Sequence, residues 1–197
     1  PIVEESLLSG KLETTNQCYA IAKIAGIKFS EALFENHKTD IICLMPTNVY
    51  GENDHFDKIN GHVIPAMIAK FIDVKKNKKK KIRLLGTGKP LREFIHVDDL
   101  AAAINFCLKI KKSKLKKIFN SKLPIFNVGT GDEITIKNLS KLISKYTRYD
   151  GVIEFDKISP DGTYRKNLNS KKINSLGWFP KIKFKKGLRD LIQSKLG

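Results

Sequence analysis

Apolar residues recur at helical spacing over positions 15–36, where Ile21, Ile24, Ala25, Phe29, Ala32 and Leu33 share one face and Thr14 or Thr15 can cap the start. The period then changes. Asp40-Ile41-Ile42-Cys43-Leu44-Met45 is a short apolar run ended by Pro46, the mark of a buried parallel strand. Pro46–Gly51 reads as the loop at that strand's C-terminal end, where open α/β sheets bind ligands. A helical pattern returns over His62–Val74, and Lys81–Leu85 predicts a strand closed by Gly86-Thr87-Gly88. Glu93–Val97 leads into a helix capped by Asp98 or Asp99 and running through Ala101, Ile104 and Leu108. Lys111–Lys122 reads as a basic connection. Pro124–Val128 predicts a strand, and Gly129-Thr130-Gly131 turns into a helix over Ile136–Tyr146. Val152–Phe155 is a further strand, followed by a loop over Ser159–Lys166 and two short helical pieces near Ser170–Leu176 and Lys185–Leu196. Strands alternating with helices predict an α/β fold with a parallel sheet. The loop-rich later part predicts a smaller lobe.

Composition narrows the picture. At 197 residues and 41% hydrophobic, the chain can bury a core in one large or two small domains. It has no apolar run long enough to span a bilayer and no signal-peptide pattern, so the reading is no membrane. An odd number of cysteines without CxxC fits a reducing cytosol, so the location is read as cytoplasmic. Cys18, Cys43 and Cys107 have no paired spacing, which argues against a disulfide scaffold or zinc site, and no other cluster has metal-ligand spacing. Cys18 reads as a packed helix residue. The formal charge of +17 raises a nucleic-acid module as an alternative. Against it, all the cations but Arg83, Arg92, Arg148, Arg165 and Arg189 are lysines. Recognition of phosphate and guanine leans on the arginine fork. The lysine-rich stretches also fall at helix ends, which the macrodipole favours without a ligand. The reading is therefore no nucleic acid.

Candidate chemistry starts at Tyr19 and Lys23. Residues four apart on a helix share a face, and an ammonium beside a phenol favours the phenolate. That combination suits proton transfer in carbonyl–alcohol interconversion. Read alone, the spacing equally fits a solvated lysine lying past a half-buried ring. A dinucleotide-binding loop of the GxGxxG kind is absent from the sequence, and the two Gly-Thr-Gly triplets read as turns. The start at Pro1, directly in a polar Ile2-Val3-Glu4-Glu5-Ser6 segment, predicts that the chain is part of a longer protein.

Several blocks then fall in a recognisable order. Leu7-Leu8-x-Gly10-x-Leu12-Glu13-x-Thr15-Asn16 precedes Tyr19-x-x-x-Lys23; Met45-Pro46-Thr47-Asn48-Val49-Tyr50-Gly51 and Gly61-His62-Val63-Ile64-Pro65-Ala66 follow. Arg92-Glu93-Phe94-Ile95-His96-Val97-Asp98-Asp99, Phe126-Asn127-Val128-Gly129-Thr130-Gly131 and Pro160-Asp161-Gly162-Thr163-x-Arg165-Lys166 complete the series. Their order and wording resemble the extended short-chain dehydrogenase/reductase (NAD-dependent epimerase/dehydratase) superfamily. Within it they resemble the GDP-L-fucose synthase family, over essentially the whole chain.

The resemblance implies the rear part of a Rossmann-like parallel sheet plus a smaller α/β substrate-binding lobe. Residues 1–60 would be the rear of an NADP-binding domain. Residues 61–197 would be mainly the sugar-nucleotide lobe, with segments around 86–110 and 124–132 returning to the sheet. The glycine loop, a catalytic serine and a catalytic cysteine would precede Pro1. It implies C3/C5 epimerisation and NADPH-dependent C4 reduction of GDP-4-dehydro-6-deoxy-D-mannose, with NADP(H) as cofactor, a GDP-sugar substrate and a homodimer when full length. Tyr19, Lys23 and His62 would be catalytic. Lys23, Pro46, Thr47, Asn48, Val49 and His62 would face the cofactor, and Lys70, Leu85, Arg92 and Asp161 the substrate. Leu85 departs from the family's usual tryptophan and Asn169 from its usual aspartate. A different nucleotide-sugar epimerase or dehydratase of the superfamily is the alternative.

Overall fold

A computed structural model describes residues 1–196, and of Thr15 the backbone only. Fifteen regular elements follow one another: α1 (Gln17–His37), β1 (Cys43–Pro46), β2 (Asn48–Tyr50), α2 (Val63–Lys76), β3 (Lys81–Leu85), β4 (Leu91–His96), α3 (Val97–Leu108), α4 (Lys112–Phe119), β5 (Ile125–Val128), β6 (Glu133–Thr135), α5 (Ile136–Thr147), β7 (Val152–Asp156), β8 (Arg165–Lys166), α6 (Lys171–Ser175) and α7 (Phe184–Leu196). Short 3-10 turns at Glu4–Ser6 and Thr14–Asn16 precede α1. The pairings β1–β5, β2–β4, β3–β7 and β4–β8 are parallel, and β4–β6 alone runs antiparallel. The architecture is a Rossmann-like α/β fold, as the alternating pattern implies.

Two apolar cores flank β4. One gathers Ile68 and Phe71 of α2, Leu139 and Ile143 of α5, and Leu188 and Ile192 of α7, all fully buried. The other packs Phe126 and Val128 of β5 against Ala103 and Cys107 of α3, Phe119 of α4 and Trp178. Successive side chains of a strand point to opposite faces, so Phe94 enters the first core and Ile95 the second. β4 is thus the beam that joins them. Burial pushes the Cys107 thiol up to about 11, which marks it as a packing residue.

Several expectations need correction. Pro46–Gly51 is not all loop, because the chain stays extended after Pro46 and pairs Asn48, Val49 and Tyr50 with Phe94, Ile95 and His96. The Lys111–Lys122 connection contains α4, whose Leu115 and Phe119 are buried while its lysines stay in solvent; the dense charge hides this stripe. β6 and β8 are short edge pieces whose sequences lack strand periodicity. The α3 cap is the His96 imidazole, whose Nδ1 accepts from the Asp98 N–H at 3.2 Å, while Asp98 and Asp99 sit in the first turn. α1 begins after Asn16 without a side-chain cap; the Thr15 side chain lies outside the described residues. Its apolar face buries no residue, and β1 is only half-buried because it pairs with β5 alone among the described residues. Cys18 is exposed rather than packed.

Candidate active site

One cavity of about 1000 Å³ brings most of the cofactor-side residues together, with Tyr19, Pro46–Val49 and His62 in its lining. Each arrives for a local reason. Proline at the end of β1 fixes φ and has no N–H to offer a ladder, and the chain leaves the strand there. Thr47 Oγ1 and Asn48 Nδ2 then donate to the Glu93 carbonyl at 3.1 and 2.9 Å. The Glu93 carboxylate is wholly buried and accepts from the Thr130 and Gly131 N–H groups at 2.6 and 2.8 Å and from Leu168 N–H at 2.8 Å. A single glutamate therefore pins the cofactor-side loop, the Gly129-Thr130-Gly131 turn and the segment after β8. Buried charge demands such satisfaction. The turn lies against it so closely that a Cβ on Gly129 would collide with the carboxylate.

Tyr19 sits in the first turn of α1, with the Lys23 Nζ 5.5 Å from its ring centroid. The two share a helix face. Tyr19 is 67% exposed and lines the cavity, whereas Lys23 is outside the lining. His62 occupies the position before α2, its carbonyl accepting from Ala66 N–H at 2.9 Å, and its imidazole is open to solvent.

The substrate-side residues lie elsewhere. Lys70 of α2 and Leu85 at the end of β3 line a second hollow of about 450 Å³, with Lys58, Lys79, Lys81 and Arg83 around it. Arg92 is half-buried, and its Nη1 donates to the carbonyls of Leu91 and Thr163, each at 2.7 Å. Desolvation lowers the pKa of its guanidinium, opposed by the nearby Glu13 and Asp161 charges. Asp161 accepts from the Thr87 N–H at 2.8 Å and from its hydroxyl at 2.5 Å. Those bonds hold its carboxyl below the usual range, with Lys89 and Arg92 adding to the effect. Asp161 and Arg92 thus both shape the loop over 160–164. Gly86 can take its φ of +78° there, and a Cβ on it would strike the Asp161 carboxylate.

Glu13 links the two sides. One carboxylate oxygen accepts from the Thr163 hydroxyl at 3.1 Å and the other from Lys166 Nζ at 2.8 Å. The Lys166 bond, more than any other contact, depresses its pKa to about 2. Glu13 precedes the helix that carries Tyr19, while Thr163 and Lys166 line the same cavity. Glu93, Glu13 and Asp54 (whose carboxylate lies beside His62) are missing from the sequence-based set of site residues. Glu13 and Glu93 stand inside the quoted motif blocks, and position in a motif was the available signal.

The cavity suits the nicotinamide end of a dinucleotide, with an apolar strand exit, a fixed Asn48 amide and the Tyr19 phenol. The phosphates would need another cradle, since Gly88 packs on the Phe155 ring and Gly129 and Gly131 are turned to Glu93. Glycine loops leave their N–H groups free for phosphate.

A Rossmann-like α/β fold with a Tyr-x-x-x-Lys helix bordering its cavity defines a class, and comparison with known proteins agrees. Residues 1–129 match the NAD dependent epimerase/dehydratase family, and the chain belongs to that family. It is 45% identical over 188 residues to GDP-L-fucose synthase 1 of Arabidopsis thaliana, covering 95% of this chain and 55% of that protein. It is 40% identical over 193 residues to GDP-L-fucose synthase of Escherichia coli, covering 98% of this chain and 60% of that protein. A solved structure of a GDP-D-glycero-L-gluco-heptose synthase from Campylobacter jejuni in the presence of NADPH superposes with a TM-score of 0.86 at 30% identity, covering all of this chain and 65% of that one. The chain therefore spans little more than half the length of the curated relatives it matches.

Proposed function

We propose that this chain is the part of a GDP-L-fucose synthase that carries the proton-transfer residues and the sugar-nucleotide lobe. The whole reaction is C3 and C5 epimerisation followed by C4 reduction of GDP-4-dehydro-6-deoxy-D-mannose. The observation that carries the reading is the shared cavity, in which Tyr19, His62 and the Pro46–Val49 strand exit face one space.

A ketone at C4 acidifies the hydrogens on both adjacent carbons, because the enolate places its charge on O4. One donor at O4 therefore serves both stages. Tyr19 is that donor, stabilising the enolate and later protonating the alkoxide. Lys23, its Nζ 5.5 Å from the ring centroid on the same helix face, is the cation of the pair. His62, in the lining of the same cavity, delivers or removes the proton at the inverted carbons, a task for which imidazole chemistry is suited. NADPH, when bound, supplies the two-electron reduction of the C4 ketone. Pro46–Val49 orient its nicotinamide end, with the Asn48 amide held by Glu93. Lys70 and Leu85 flank the nucleotide, and the cations around them suit a diphosphate. Arg92 and Asp161 fix the loop over 160–164, whose Thr163 lines the Tyr19 cavity. Residues 1–60 serve the cofactor and 61–197 mainly the substrate, in a cytoplasmic enzyme that pairs as a homodimer when complete.

A second reading, a different GDP-sugar reductase or epimerase, is favoured by the likeness to the heptose synthase and by Leu85 in place of tryptophan. A chimera separates the two. Residues 1–197 replace the matching portion of the Escherichia coli relative, and products are identified by mass spectrometry. Conversion of GDP-4-dehydro-6-deoxy-D-mannose to GDP-L-fucose is expected. An untouched substrate, with a heptose, UDP or dTDP sugar converted instead, overturns the assignment.

A further inference from the structure

We infer that Asp54 is a positioning residue for His62, holding the imidazole with its Nδ1 proton towards the carboxylate and its Nε2 lone pair towards the cavity. The inference rests on the role proposed above for His62 and adds which nitrogen does the chemistry.

The geometry is built by the loop between β2 and α2. Asp54 Oδ1 accepts from the His55 N–H at 2.8 Å, which fixes the carboxylate against the backbone. The same oxygen stands 3.6 Å from His62 Nδ1. Asp54 is 18% exposed and His62 85%, so the carboxylate is the anchored member and the ring the movable one. Both line the cavity that Tyr19 borders. Asp57 shapes the intervening turn, its Oδ1 accepting from Ile59 and Asn60 N–H at 2.9 and 2.6 Å. Gly61 completes it, since a Cβ there would sit 2.5 Å from the Asp57 carbonyl and 2.7 Å from that of His55. Only glycine lets the backbone pass so closely, so the loop brings His62 back to Asp54 by construction.

The 3.6 Å separation is an ion-pair distance, about half an ångström longer than a hydrogen bond. A carboxylate also sits favourably beside the N-terminus of α2, where the macrodipole is positive. A neutral imidazole whose Nδ1–H is held has one basic nitrogen left, Nε2. Orienting one tautomer converts a freely turning ring into a directed acid–base group.

The test uses the full 197-residue chain labelled with 15N-histidine, and long-range proton–nitrogen correlation at about pH 9, where an ordinary imidazole is neutral. His62 is assigned by the loss of its signals in His62→Gln. The expected result is a predominantly Nδ1–H tautomer in the wild type, with the Nδ1–H to Nε2–H ratio falling about threefold or more in Asp54→Ala, on the order of 0.7 kcal/mol. Asp54→Asn retains an acceptor oxygen and preserves most of the wild-type ratio. A wild-type His62 that is mainly Nε2–H overturns the inference without any variant, as does an unchanged ratio in folded Asp54→Ala. The readout needs no turnover, so a chimera that makes no GDP-L-fucose counts against the functional reading and leaves the pairing standing.

Discussion

The two helices that bring Tyr19 and His62 to one cavity are held in different ways. α2 buries Ile64, Pro65, Met67, Ile68, Phe71 and Val74 within 14 residues, whereas α1 runs 21 residues and buries none. His62 therefore rides on an element locked by the main core. Tyr19 rides on one placed by its ends, through Glu13 before it and the connection to β1 after it. On this chain, which spans little more than half the length of its curated relatives, Ile21 and Phe29 of α1 are 51% and 66% exposed. The difference teaches that the acid–base residues of one cavity can depend on separate sources of order.

Substitution tests the contrast most severely in the core. Phe71→Ala, at 0% exposure, is expected to cost about 3–5 kcal/mol in urea unfolding, against within about 0.5 kcal/mol for Phe29→Ala. Comparable losses at both positions would erase the distinction between the helices. Glu93→Gln comes next, because an amide replaces a charged acceptor of three backbone N–H groups. A loss of about 2–3 kcal/mol is expected, with faster hydrogen exchange at Thr130 and Gly131.

Leu85→Trp probes the substrate side, where an exposed leucine stands at the rim of the cationic hollow. A stacked aromatic contact worth about 0.5–1.5 kcal/mol predicts roughly two- to tenfold tighter GDP binding by calorimetry. No gain would place the base elsewhere.

The smallest effect is the pH dependence of the Glu13 link. The Lys166 bond keeps the folded Glu13 ionised down to about 2, while an unfolded glutamate protonates near ~4.3. A depressed folded pKa means stability that is fully present above the unfolded value and lost as pH falls through the folded one. The urea-midpoint difference between wild type and Glu13→Gln should therefore be constant above ~pH 5, shrink between ~4.3 and ~2, and vanish below. A difference unchanged at ~pH 2.5 would remove Glu13 as the tie between the two sides.

Much of this was legible in the sequence where a local pattern carries the physics. β3 occupies the predicted Lys81–Leu85, and α2 begins at Val63, directly after the expected histidine. What escaped depends on partners distant in sequence. β2 and β8 exist because β4 is there to pair with them, and the His96 cap replaces a more obvious aspartate. Among site residues, Tyr19, Pro46–Val49 and His62 meet in one cavity, whereas Lys70 and Leu85 share another. Glu93 could not be ranked above its motif neighbours, since its five partners come from residues 47–48, 130–131 and 168.

The most direct measurement is the turnover of the Tyr19→Phe form of the chimera on GDP-4-dehydro-6-deoxy-D-mannose with NADPH. Removing one phenolic oxygen should lower kcat about 10²–10⁴-fold and leave KM within about threefold, because the lost interaction forms at O4 in the transition state. Wild-type kcat in that variant would contradict the assignment of Tyr19 as the proton donor.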